Sequence, residues 1–308
     1  MTSQAVGRPA VAPVAESMAL RGKPRTFWGD AWHRFRRQRS AMVGLGIVVL
    51  VALMGLLAPV LAPADPIWIS GQGLRLGQPV PPGTPGFPLG ADEVGRDVLS
   101  RVIYGARVSL LVATVANLAA LTLGFLVGSI AAFVGGMAEM ILMRCTDILL
   151  SVPPLLFALA LTAILSPDLS VVLLVITAIY WTYLARIVHG QVLSIKEKEF
   201  VEAAACIGCT RARILLRHVI PQLLGIAIVY ASLSAANMIL TEATLSFLGI
   251  GVRPPTPSWG QMLSNGPNAF LVAPWIVMFP GIMVMLTVFG FNLVGDGLRD
   301  ALDPRSRR

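Results

Sequence analysis

The sequence is poor in charge. Only 13% of its residues are Asp, Glu, Lys or Arg, against about 25% in a soluble globular domain. Hydrophobic residues make up 56%. A chain of 308 residues would ordinarily suggest two soluble domains, and this composition excludes them. Disorder is excluded too, because it needs low hydrophobicity with high charge. Cysteine is scarce: Cys145, Cys206 and Cys209 cannot build a disulfide scaffold. His33, His189 and His218 are the only histidines, so a catalytic metal cage is poorly supplied. The chain has no G-x-x-x-x-G-K-[ST] phosphate loop, no G-x-S-x-G elbow and no H-E-x-x-H helix. Gly295-Asp296-Gly297 and Gly44-Leu45-Gly46 lack the strand that a nucleotide fingerprint requires. Cys206-Ile207-Gly208-Cys209 has the form of a redox pair or half a zinc site. Only His218 lies near it, and a structural zinc takes four ligands, so small residues packing a helix is the plainer reading.

Long uncharged runs take the place of that chemistry. Residues 41–63, 108–138 and 254–295 carry no charge. The run 148–185 contains only Asp168, and 218–252 contains only Glu242 when His218 is neutral. A spanning helix needs about 20 mostly apolar residues. Six helices are expected, near 41–62, 103–135, 140–165, 170–190, 218–247 and 271–297. The expected fold is an all-α polytopic membrane protein.

The net charge of +8 sets the orientation. With the N-terminus inside, 19 of the 24 Lys and Arg residues fall in inner segments and five in outer ones. That asymmetry predicts both termini on the cytoplasmic side. The run after Arg34, Arg36, Arg37 and Arg39 exceeds the roughly 7–15 apolar residues of a signal peptide, so it reads as an uncleaved first span. The tail 1–40 interleaves Phe27, Trp28, Trp32 and Phe35 with arginines. This fits an amphipathic helix on the anionic inner leaflet or, equally, a plain stop-transfer cluster. The next unit, 41–100, holds the first span and an outer loop, 64–100. That loop is rich in Pro and Gly and should be irregular but tied down by turns. The core unit is 101–298, and 299–308 is an inner tail.

The inner connection 191–220 is the most informative segment. Glu199 to Ile207 is expected to form a short helix with Phe200, Ala203, Ala204 and Ile207 along one face. Gly208 is placed to stop it in the left-handed conformation. Pro221 opens or kinks the following span. A short helix held between two spans suits a lever for a cytoplasmic partner; spacing alone fits an ordinary connector equally well.

Glu202-Ala203-Ala204, Gly208 and Ile220-Pro221 match the EAA loop of ABC importer permeases. Three further segments narrow the match: Pro88–Arg101; Ser246-Phe247-Leu248-Gly249 with Pro254–Gly260; and Phe291–Pro304. Over about residues 25–305 the chain resembles the C-type permease subunit of the dipeptide/oligopeptide/nickel uptake family. His218 departs from the general EAA pattern, which often has an aliphatic residue there.

The resemblance implies a type I ABC importer permease architecture and a subunit that is no enzyme. Such a subunit supplies half of the translocation pathway for peptides or related small solutes. It pairs with a homologous permease, two ATPase subunits and an extracytoplasmic solute-binding protein, in a bacterial inner membrane and without nucleic acid. This chain would bind no cofactor, and ATP and Mg would be used by the ATPase subunits. The coupling residues implied are Glu202, Ala203, Ala204, Gly208, Arg211 and Pro221. Candidate pathway residues are Glu242 and Asn292, with Asp296 near the same inner end. Glu242 is the one acid deep in an apolar span, where charge is costly; it lines the pathway, makes a structural hydrogen bond in the protonated state, or lies close to the outer interface. Asp92, Arg96, Asp97 and Trp259, with Glu93 and Arg101, meet the binding protein or order the outer loop. Trp259 is expected to anchor at the membrane interface. Asp147, with Arg144 and Glu139, sits at the inner start of the third span, where a local ion pair is expected. A self-sufficient secondary transporter would need repeats and midplane ionisable pairs, and a membrane-embedded enzyme a paired nucleophile and base. Neither signature is evident.

Overall fold

The computed structural model describes residues 27–303 apart from 166, 167 and 265. The tail expectations for 1–26 and 304–308 lie outside the described residues. A first helix, α1 (Phe27–Arg37), leads into α2 (Arg39–Leu56) and the short α3 (Ala58–Leu61). The segment expected to lie on the outer side follows, with a hairpin of two-residue strands, β1 (Leu74–Arg75) and β2 (Gln78–Pro79). A single 37-residue span then comprises α4 (Val98–Leu111), a π-helical turn and α5 (Asn117–Val134). Next come α6 (Gly136–Ser151), α7 (Pro154–Ile164), α8 (Leu169–Lys196), α9 (Glu199–Cys206), α10 (Arg211–Ile214) and α11 (Ile220–Phe247). The short α12 (Trp259–Ser264) and α13 (Gly266–Ala269) precede the last span, α14 (Trp275–Leu302).

Five helices are long and apolar enough to cross a membrane, and the pair α6–α7 makes a sixth span if its two halves are taken together. The third span is therefore not the continuous helix expected over 140–165. It bends by 91° after Ser151. Pro153 and Pro154 explain the break, since neither donates a backbone N–H and each ring clashes with the preceding turn.

Several spans also begin earlier than hydrophobicity alone suggests. The second starts at Val98 rather than 103 because the Asp97 carboxylate accepts from Ser100 N at 2.8 Å, which caps the helix. The fifth extends back to Arg211, where Thr210 Oγ1 accepts from Arg213 N at 3.4 Å. A π-helical turn at Leu215–Val219 lies just before Pro221. Widening the helix there relieves the clash of the proline ring with the carbonyl one turn back, so the span continues through Pro221.

Small residues set the closest helix contact. Gly124 and Gly128 of α5 lie one turn apart against α8, and a Cβ on Gly128 would sit 2.4 Å from the Ala185 carbonyl oxygen. A Cβ on Gly124 would sit 2.5 Å from that of Trp181. In a membrane, where lipid is as apolar as leucine, such close backbone approach is what drives helix pairing. Similar fits seat Gly44 of α2 against Leu293 and Gly290 of α14.

Candidate coupling and pathway sites

The inner connection forms a rigid foot with an exposed tip. In α9 the buried residues are Val201 and Ala204. They join a core cluster with Leu184, Val188, Val192, Ile195, Val219 and Leu223 from the flanking spans. Phe200, 37% exposed, Ala203 and Ile207, 81% exposed and just past the end of α9, are turned to the surface. The face expected from the sequence is thus divided: Ala204 packs inward beside Val201, while Phe200, Ala203 and Ile207 form an apolar stripe turned outward. Alanine content alone does not reveal which side faces the spans; the inward pull of Val201 decides it. Glu199 and Glu202 sit in the first turn, where the helix dipole favours negative charge.

Gly208 ends the helix with φ +84°. Its N–H donates to Ala205 O at 3.0 Å, and Cys209 N donates to Ala204 O at 3.1 Å. A side chain there would meet no neighbour within 4 Å, so the requirement for glycine is conformational. Arg211 is exposed at the start of α10, and Pro221 is exposed near the start of α11. Cys206 and Cys209 flank the Gly208 turn, and among the described residues no three His, Cys, Asp or Glu side chains are grouped to hold a metal.

On the outer side the residues proposed as surface contacts are internal. Asp92 is 3% exposed, Arg96 8%, Asp97 3% and Trp259 0%. The Asp92 carboxylate accepts from Arg96 Nε at 2.7 Å and lies 3.4 Å from Arg101 Nε. Arg101 also donates to Gln261 Oε1 at 2.7 Å and to Pro66 O at 3.2 Å. Trp259 is no interfacial anchor: its indole N–H donates to Val102 O at 2.9 Å, with the ring packed against Gly105. The loop-ordering role, not the exposed-contact role, fits this geometry. Trp275, which the sequence did not single out, closes the same junction by donating to Ala91 O at 3.0 Å.

The two pathway candidates differ in setting. Glu242 is fully buried five residues from the outer end of α11. Its carboxyl accepts from Ser246 Oγ at 2.8 Å, with Ser258 beside it. Ser246 Oγ in turn accepts from Val252 N at 3.2 Å. This link ties α11 to the following turn, as a structural hydrogen bond would, while Glu242 Oε2 is buried without a hydrogen-bond partner in the described chain. Asn292 and Asp296 are exposed along α14.

Sequence reasoning missed a tyrosine cluster between α8 and α11. The Tyr180 and Thr241 hydroxyls lie 2.8 Å apart, Tyr230 donates to Tyr180 O at 3.4 Å, and Tyr183 is tilted against Tyr180. Three of the four tyrosines in the chain gather here, and that concentration within apolar runs was the available signal. Toward the inner ends of α11 and α14, a cleft of about 890 Å³ is lined by Gln222, Val229, Tyr230, Leu233 and Arg299.

The folded chain is a bundle of membrane-spanning helices with a braced loop junction at one end and an exposed helical tip between two of the spans. Residues 124–308 match the family described as the binding-protein-dependent transport system inner membrane component, and residues 26–76 match the N-terminal TM domain of oligopeptide transport permease C. The chain belongs to this permease family. It is 42% identical over 300 residues to the oligopeptide transport system permease protein OppC of Haemophilus influenzae, covering 96% of this chain and 94% of that one. Identity to OppC of Bacillus subtilis is 40%, with 97% of each chain covered. Identity to the dipeptide transport system permease protein DppC of Alkalihalophilus pseudofirmus is 39%, with 91% and 90% covered. A structure of the MetNI methionine ABC transporter in inward-facing conformations superposes with a TM-score of 0.55 at 18% identity, covering 66% of this chain and 96% of the other. That likeness supports the fold.

Proposed function

We propose that this chain forms half of the translocation pathway of an ATP-driven peptide importer and receives the ATPase stroke through α9. The observation that carries this reading is the Phe200–Ala203–Ile207 stripe. It is apolar, exposed, and mounted on a helix whose Val201 and Ala204 are buried in a cluster with residues of the flanking spans. An exposed apolar stripe on a braced helix suits a partner's cleft. A push on it reaches α8 through Ile195 and α11 through Val219 and Leu223. The OppC and DppC relatives are named for oligopeptide and dipeptide transport, which makes peptides the expected cargo.

The expected partners are a homologous permease, two ATPase subunits that bind ATP and Mg, and an outer solute-binding protein. The expected membrane is the bacterial inner membrane with both termini inside, which places α9 where ATPases lie. The test is reconstitution. Proteoliposomes holding the chain with its partner permease and ATPases should take up a small peptide when binding protein and ATP are supplied. Uptake without ATP, or ATPase subunits that fail to co-purify, would defeat the proposal.

A further inference from the structure

The spans carry a set of charges that the coupling and outer sites do not use. Asp147 of α6 pairs with Arg186 of α8, and Glu139 of α6 lies 2.7 Å from His189 Nε2 of α8. Neither acid makes the local pair expected from the sequence, and Arg144 is left over. It is exposed, and among the described residues it has no hydrogen-bonded or charged partner. Arg144 and Asp147 stand about 12 and 16 Å along the axis from the start of α6 at Gly136, from the helical rise per residue. All five side chains line one cleft between α6 and α8, beginning at Gly136. Its volume is about 460 Å³, within the roughly 300–1,000 Å³ range of small-solute sites.

At the inner end of a span a charge is costly against lipid, so it faces water, a partner or a solute. Helix-to-helix ties would need only matched pairs. This cleft has two acids, two arginines and a histidine, and one of those arginines is unmatched. We infer that the α6–α8 cleft is a solute site on the inner half of the pathway, built for a zwitterionic peptide. Arg144 and Arg186 take the terminal carboxylate, with guanidinium geometry suited to a two-point contact. Asp147 and Glu139 take the terminal ammonium. The inference rests on the peptide-importer reading and adds to it where the termini are held.

The test uses the complete transporter in proteoliposomes with binding protein, ATP and trialanine as the probe. Arg144→Gln breaks no pair. It should leave complex abundance unchanged while lowering trialanine uptake at least tenfold, with Arg144→Lys keeping half or more. The double exchange Asp147→Arg with Arg186→Asp preserves a pair but reverses its polarity, and it should also fail to transport. Wild-type uptake in Arg144→Gln, or restored uptake in the double exchange, would reduce the cluster to a structural tie and overturn the inference alone. Loss of the partner permease from the purified Arg144→Gln complex would also overturn it, making this face an interface between permeases. Wild-type proteoliposomes that hydrolyse ATP yet take up no trialanine would remove the peptide reading and this inference together.

Discussion

The outer junction and the inner tip are built on opposite plans. At the junction Arg101 and Trp259 are almost wholly buried, and their donors find acceptors within this chain. At the tip the apolar side chains of Phe200 and Ile207 remain uncovered, and the helix is held only by its back. The first arrangement is complete without a partner and resists change. The second leaves apolar surface for the proposed ATPase partner to cover. Substitutions at the junction should therefore cost stability first and activity as a consequence. Substitutions at the tip should cost coupling while the chain still folds.

The largest effect is expected at Arg101. Arg101→Ala leaves Asp92 with one cation instead of two and strips Gln261 Oε1 of its donor, deep in the junction. Breaking a buried charged network by removing one member costs about 3–5 kcal/mol. Membrane abundance should fall several-fold, with a lowered Tm in detergent. Normal abundance would show that Arg96 alone satisfies Asp92. Trp259→Ala comes next, at about 3 kcal/mol, from lost packing against Gly105 and a lost bond to Val102 O. Trp259→Phe should recover the packing but not the hydrogen bond, so its Tm should fall between the two.

The junction also shows what was legible in advance. The uncharged runs place the spans because hydrophobicity is a bulk property of a segment, and the Pro153-Pro154 step explains the one span that bends. The outer cluster was found as a set of charges. Its burial was not legible, because Gln261 and Trp259 lie far along the chain from Arg101 and meet it only in the folded bundle. For the same reason Asp147 was assigned to neighbours on its own helix, when its partner is Arg186 on α8. The tip was legible as a helix with a stop. Its inner and outer faces were not, since Val201 and Phe200 are equally apolar and only the packing of the spans chooses between them.

A smaller stability effect is expected at Gly208. A valine there must adopt φ near +84°, which costs a non-glycine residue about 1–2 kcal/mol. No neighbour obstructs it, so most of the chain should still reach the membrane. The turn sets the angle between α9 and α10, and uptake should fall far more than abundance does. Equal loss of both would make Gly208 a folding residue only and would blur the contrast between junction and tip.

The smallest stability effect is the most decisive for that contrast. Ile207 is 81% exposed and contributes nothing to the buried cluster behind α9. Ile207→Asp should change the Tm of the isolated chain by no more than the equivalent of about 0.5 kcal/mol, as for other surface substitutions. In the complex it places a carboxylate at the C-terminal end of the apolar stripe, where a covering surface would have to bury it without a partner. ATPase subunits should then co-purify poorly, while the partner permease, which does not depend on this face, should remain. If the ATPases were retained in full and uptake were normal, the stripe would be an ordinary solvated surface. A lowered Tm with retained ATPases would mean instead that Ile207 braces α9 from outside, and the distinction between a finished junction and an unfinished tip would fail at its inner end.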